Sequence, residues 1–156
     1  MAYPFNYRRR LPHIQPDFKV FFITFCTYRR WVLPPPARTI VFDTCLAGHR
    51  KKFDLYALVV MTDHVHLALN PLITPDGPTP VPIILQSIKG ASSHRINRVL
   101  HRHGKVWQEE SFDRALRKEE HFESKLWYML ENPARAGLVE NPMDYQWLWR
   151  NTGEAA

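Results

Sequence analysis

His64 and His66 stand one residue apart inside an otherwise apolar run, VVMTDHVHLALNP at residues 59–71. Side chains at i and i+2 of a strand share a face, whereas on a helix they lie on nearly opposite sides, so the two imidazoles converge only on extended backbone. Converging imidazoles can seat a divalent ion, but two ligands do not hold a hard ion alone; a third protein group or a substrate oxygen has to complete the set. The plainer alternative is a pair of core histidines with hydrogen-bond partners, and with eight histidines in 156 residues some close pairs arise by chance.

A second pair carries chemistry of another kind. Tyr128 and Asn132 are four residues apart in a segment with helical periodicity, hence one turn apart on one side, with Trp127 and Glu131 beside them. An amide oxygen is a ligand for a hard ion, so Asn132 can join His64 and His66 in a three-ligand seat with open positions. A tyrosine hydroxyl, with an ordinary pKa of about 10, attacks only an electrophile polarised by a cation, with a proton acceptor at hand. A phosphodiester on the ion is such an electrophile. The alternative for Tyr128 is an aromatic packed at the rim of its helix.

The surrounding pattern supplies the elements that must position these groups. Residues 19–28, KVFFITFCTY, are aromatic and β-branched and predict a first strand. After the break at Leu33-Pro34-Pro35-Pro36, Ile40, Val41, Thr44, Cys45 and Gly48 recur at helical spacing over 37–52, which ends in the basic cluster His49-Arg50-Lys51-Lys52. Strands are predicted at 54–61 and 64–70, hinged at Thr62-Asp63, with Val65, Leu67 and Leu69 alternating against the histidines. Five prolines in residues 71–82 predict an extended connection. A second helix is predicted over 83–103, with Ile84, Leu85, Ile88, Ala91 and Ile96 facing the core. Its polar side carries Lys89, Arg95, Arg98 and Arg102, the last three at i, i+3 and i+7 as a basic stripe suited to phosphate contacts or simply solvated. A fourth strand is placed at 111–116. An amphipathic helix follows at 118–130, with Phe122, Leu126, Met129 and Leu130 in its apolar stripe and Asn132-Pro133 as its stop.

The order β-α-β-β-α-β plus a helix is an α+β, ferredoxin-like antiparallel sheet, with the histidine strand inside it and the C-terminal helix bringing the nucleophile across its face. The expected organisation is an irregular basic arm at 1–18, one domain at 19–147 and a frayed tail at 148–156. A net charge of +6 and a pI near 9.5 call for an anionic partner, nucleic acid first, and Arg8-Arg9-Arg10 in the arm suit phosphate contacts. No run of about 18 apolar residues and no signal core stand in the chain, so a cytoplasmic protein without a membrane partner is expected. Cys26 and Cys45, without C-x-x-C spacing, are expected to be buried free thiols.

The segments VVMTDHVHLALNP, QSIKGASSHRINR, KVWQEESFDRALRKEEHFESKLWYMLENPARAGLV and RRRLPHIQPDFKVFFITF together resemble the single-tyrosine HUH transposases, in the branch associated with repetitive extragenic palindromes. The likeness covers roughly residues 8–147. It implies that His64 and His66 bind Mg²⁺ or Mn²⁺ with Asn132 as third ligand, and that Tyr128 is the nucleophile. It further implies cleavage and rejoining of single-stranded DNA beside hairpins, through a 5′-phosphotyrosyl enzyme and a free 3′-hydroxyl, with no nucleotide cofactor. The branch suggests a nucleoid-associated monomer, although related small transposases form dimers that exchange the tyrosine helix. Two departures stand out: Thr62-Asp63 replaces a proline-asparagine pair often found before the first histidine, and DYQWLW follows the tryptophan-rich ending only in part. Other readings are a DNA- or RNA-binding module of the same fold without turnover, a metal nuclease using water, and a purely structural metal site.

Overall fold

In the computed structural model, which describes residues 19–117 and 120–153, the first strand, β1 (Phe21–Thr27), pairs antiparallel with both β3 (His64–Pro71) and β6 (Trp107–Ala115). β2 (Phe53–Val60) flanks β3 on its other side, and β7 (Leu148–Arg150) closes the edge, giving the order β6-β1-β3-β2-β7 with every pairing antiparallel. The first four strands of this sheet in chain order thus sit as 4-1-3-2, the ferredoxin-like arrangement expected, with the histidine strand between two neighbours.

The pleat sorts the side chains. Ile23, Phe25, Val65, Leu67 and Leu69 are buried on one face, the side of the helices α1 (Pro35–Gly48) and α2 (Val81–Val99). Phe25 meets Trp107 edge-on at 4.8 Å, and Trp107 Nε1 donates to the buried Ser92 Oγ of α2 at 2.9 Å. α1 approaches so closely that a Cβ on Gly48 would lie 2.5 Å from the Phe53 ring, so only glycine fits there. Phe22, Thr24, Cys26, His64, His66 and Ala68 share the opposite face. There α3 (Phe122–Leu130) is anchored by Phe122, which packs on Phe22 and on Tyr56, and by its buried Leu126, Trp127 and Leu130. Glu120 fixes the entry to α3: it accepts two bonds from Arg114 of β6, at 3.0 and 2.9 Å, and pairs with Lys125 at 2.7 Å. These cations hold its carboxyl down near 2, Lys125 most strongly. A one-turn helix, α4 (Asn132–Arg135), follows directly.

Several elements differ from expectation. α2 ends at Val99, so Arg102 leaves the basic stripe, and within α2 Ala91 is exposed while Ser92 takes the buried position. The proline-rich connection folds a small hairpin, β4 (Ile73–Thr74) with β5 (Gly77–Pro78). β6 begins four residues early, because Trp107 and Val106 are core residues. Of the tail expected to fray, Leu148–Arg150 form strand β7, residues 154–156 lie outside the described ones, and Asn151 is buried, donating its backbone N–H to Tyr56 O at 2.8 Å and its amide to Leu55 O at 3.2 Å. Cys45 is buried and its thiol is pushed up to about 12; Cys26 is half-buried and accepts from Arg30 Nη1 at 2.7 Å. The arm with Arg8, Arg9 and Arg10 lies outside the described residues. Among those described, no helix is long and apolar enough to cross a membrane.

Candidate active site

The two-residue turn at Thr62-Asp63 sets the start of β3. Met61 N donates to His64 O at 2.8 Å, Leu33 N caps Thr62 O at 2.7 Å, and the buried Thr27 donates its N–H to Asp63 O at 2.9 Å. From there β3 presents His64 and His66 on one face, ring centroids 4.8 Å apart and nearly perpendicular. The sequence spacing required this convergence once the backbone was extended.

Each ring is held by its Nδ1. His64 Nδ1 lies 2.7 Å from Asp63 Oδ1, and because a carboxylate only accepts, Nδ1 carries the proton and donates. Asp63 Oδ2 is itself braced by Arg30 Nε at 3.2 Å. His66 Nδ1 lies 2.9 Å from the hydroxyl of Thr24, its cross-strand partner in β1. In the same tautomer the Nε2 lone pairs of both rings are left to act. His66 Nε2 is buried and, among the described residues, without a hydrogen-bond partner. An imidazole oriented through Nδ1 by a carboxylate or hydroxyl, with a bare Nε2, fits the donor arrangement of a metal-binding histidine. Burial, then His64 and Arg135, push the His66 pKa down to about 4, which keeps the ring neutral and its lone pair available near pH 7. No cluster of three or more His, Cys, Asp or Glu suited to a metal occurs among the described residues. A third protein ligand drawn from the described residues would therefore be of another type.

Tyr128 lies near the end of α3, 65% exposed, with the guanidinium of Arg135 over its ring at 4.0 Å. Arg135, steadied by Glu131 at 3.4 Å, is also the cation that acts on His66, so it links the tyrosine to the histidine pair. Asn132 donates its Nδ2 to Met129 O at 2.8 Å, which fixes the amide and leaves Oδ1 free to accept or ligate. Among the described residues neither Tyr128 nor Asn132 makes a hydrogen bond to the histidines.

The basic residues divide. Arg95 and Arg98 are exposed on α2. Lys89 holds the structure together instead. Its ammonium donates to Gln108 O at 2.9 Å, Glu109 O at 3.2 Å and Ser111 Oγ at 2.6 Å and lies 5.5 Å from the centre of the Phe25 ring, so it stitches α2 to β6. Arg102 stacks on Trp31 at 4.0 Å and donates to Asn97 Oδ1 at 2.7 Å. Sequence reasoning missed the turn after β1, where Arg29 and Arg30 take φ of 54° and 55° in succession. Two consecutive non-glycine residues there store strain of about 1–3 kcal/mol each, a feature that clusters at working surfaces. Arg29 lies over Tyr28 at 5.1 Å and Lys105 over the same ring at 5.6 Å, so cations and aromatics gather beside Asp63 and the histidine end of the sheet. The signal in the sequence was the string Tyr28-Arg29-Arg30-Trp31 itself.

Comparison with known proteins bears on the family and the fold. Residues 15–118, two thirds of the chain, match the family described as Transposase IS200 like, a span that includes the histidine pair and ends before Tyr128. Among solved structures, a REP-associated tyrosine transposase bound to a REP hairpin aligns with a TM-score of 0.67 at 19% identity, covering 88% of this chain and 79% of that one, a likeness of fold. A transposase candidate from Deinococcus radiodurans R1 aligns at 25% identity and a TM-score of 0.48, over 78% of this chain and 97% of its own. No curated protein matches the chain. With the family match spanning β1 through β6, the chain belongs to the IS200-like transposases.

Proposed function

We propose that this chain is a metal-dependent transposase that cleaves and rejoins single-stranded, hairpin-associated DNA through a covalent phosphotyrosine. The observation that carries the reading is the pair of histidines held through Nδ1 by Asp63 and Thr24, with the buried Nε2 of His66 bare. His64 Nε2, His66 Nε2 and the Oδ1 of Asn132 would hold Mg²⁺ or Mn²⁺. When bound, such an ion polarises a phosphodiester and offsets the charge that develops on it.

The chain's own groups do the rest. Exposure of Tyr128 lets its hydroxyl reach a phosphate lying over the histidine face. As the Tyr128 Oη–phosphorus bond forms, the bond from phosphorus to the 3′-oxygen breaks. The phenolic proton passes to solvent or base, and the departing oxygen takes a proton as a free 3′-hydroxyl. Attack by another 3′-hydroxyl reverses the step and joins a new strand, so no nucleotide is consumed. Arg135, over the Tyr128 ring, steadies the nucleophile and adds positive charge where the phosphate must lie. Arg29, Arg30, Lys105, Arg95 and Arg98 supply sequence-independent backbone contacts. Packing of α3 on Phe22 and Tyr56 of its own sheet supports a monomer.

The test is incubation with labelled single-stranded hairpin DNA from sequence flanking the chain's own gene, with Mn²⁺ or Mg²⁺, followed by denaturing electrophoresis. The expected result is a labelled band at protein mass that needs metal and vanishes in Tyr128→Phe. Free cleaved DNA that survives Tyr128→Phe would instead establish a nuclease using water, and tight binding with no band on either ion a module without turnover.

A further inference from the structure

The sheet face that carries the histidines is covered only in part. Cross-strand pairing sets one row of side chains on it: Val59 of β2, His66 of β3, Thr24 of β1 and Phe112 of β6. Val59 is buried, His66 and Thr24 are half-buried, and Phe112, at the edge, is 71% exposed. Strands lie about 4.8 Å apart, so the Phe112 backbone is about 10 Å from that of His66.

Packing among the described residues does not account for this phenylalanine. Edge strands are ordinarily blunted by charge, and β6 follows that rule with Glu109, Glu110, Asp113 and Arg114 around its one exposed large apolar side chain. The strand is also rigidly held. Lys89 pins its carbonyls and Ser111 from the helix side, and Glu120 pins Arg114, so Phe112 stands on a fixed support in the histidine row.

We propose that Phe112 is a stacking platform for an unpaired base of the single-stranded segment next to the scissile phosphate. A phosphate at the histidine pair leaves Phe112 within one or two nucleotides of extended strand. By strand alternation Glu110 and Arg114 share the face of Phe112, while Asp113, paired with Ile23, stands on the helix side; Glu120 takes up the Arg114 charge and Glu110 repels a phosphate, so the surface beside the ring admits the uncharged face of a base. An aromatic ring accepts any base, which makes Phe112 a determinant of affinity and register for the unpaired flank. This inference rests on the DNA-binding part of the function proposed above.

The experiment uses the full chain and hairpin DNA with 2-aminopurine at successive positions of the single-stranded flank. Wild type is expected to quench the probe at one or two positions. Phe112→Ala should abolish that quenching and weaken binding of flanked DNA about 5- to 100-fold, the range for loss of one stacked base. Binding of the bare hairpin and the melting temperature should stay unchanged, and Phe112→Trp should restore quenching. The inference is overturned if Phe112→Ala keeps affinity and quenching, if it weakens the bare hairpin equally, or if it lowers the oligomeric state in light scattering, since Phe112 would then pack a second copy. Quenching lost in Phe112→Ala while wild type forms no covalent band would refute strand transfer and leave Phe112 standing. A covalent band with Phe112→Ala indistinguishable from wild type would do the reverse.

Discussion

Replacing Thr24 by valine removes one hydroxyl and almost no volume, and it separates an orienting group from a bystander. The hydroxyl lies 2.9 Å from His66 Nδ1, and the other ring nitrogen is already buried without a partner. In Thr24→Val the Nδ1 of a half-buried ring loses its partner, and the orientation that aims Nε2 away from β1 is no longer held. Loss of such a supporting partner weakens metal binding about 10- to 100-fold, which is about 1.4–2.7 kcal/mol. The same change strands a polar group in the fold at a cost of about 1–3 kcal/mol, nearer the low end because Thr24 is only half-buried. Calorimetric titration with Mn²⁺ reads the first effect and thermal unfolding without metal the second, and Thr24→Ser, which restores the hydroxyl, should recover most of both. A Thr24→Val protein that binds Mn²⁺ like wild type, while His66→Ala does not, would show that Thr24 plays no part in presenting the ligand.

Two further outcomes follow from the same contacts. His66, at about 4, and His49, whose Nδ1 accepts the Leu55 N–H at 2.9 Å and which burial, then Arg50, hold below the usual value, are both neutral in the folded chain. The unfolded chain binds the extra protons first, so their stabilisation is complete above pH 6.5 and is lost as pH falls, for His66 over the window from 6.5 to about 4 and by at most about 3 kcal/mol. Urea unfolding of the metal-free protein at pH 7.5 and 5.0 should show that loss, and His49→Gln should make it smaller; an unchanged pH slope would remove His49 from the account. Lys89→Met keeps most of the side-chain length and deletes the ammonium with its donors to β6, and is expected to cost about 1–2 kcal/mol in urea unfolding, whereas a lysine kept for DNA would leave stability intact and weaken only binding.

The convergence of His64 and His66 was legible because its determinants are local. The period-two alternation of Val65, Leu67 and Leu69 fixes which face the imidazoles take, and the ferredoxin-like order follows from the sequence of periodicities. Asp63 sits beside His64 in the chain, but Thr24 reaches His66 only through β1–β3 pairing, a register that no single strand encodes. Lys89 and Arg102 misled for a similar reason. Charge at helical spacing looks the same whether the side chain meets solvent, the carbonyls of an edge strand or the face of Trp31. The left-handed turn at Arg29 and Arg30 was not legible because nothing in two arginines announces a positive φ.

The tail shows how a distant irregularity can govern the site. Small polar residues after Trp149 resemble a fraying end, yet the register between β2 and β3 slips between Leu55 and Ala57, leaving Tyr56 as an extra, bulged residue. A bulge frees backbone carbonyls, and Asn151 takes both of those exposed here, Leu55 O and Tyr56 O. Tyr145 adds a 2.6 Å bond to Val60 O and Trp147 one of 3.1 Å to Thr39, so the tail clamps β2 to α1. The bulge in turn aims Tyr56 at Phe122, 5.4 Å between centroids, which is where α3 takes hold of the sheet. Asn151 is thus joined to the start of α3 through the backbone of β2 and the Tyr56–Phe122 contact. The residues that hold the helix of Tyr128 lie at both ends of that chain of contacts, and only one end, the helix itself, carried a recognisable pattern.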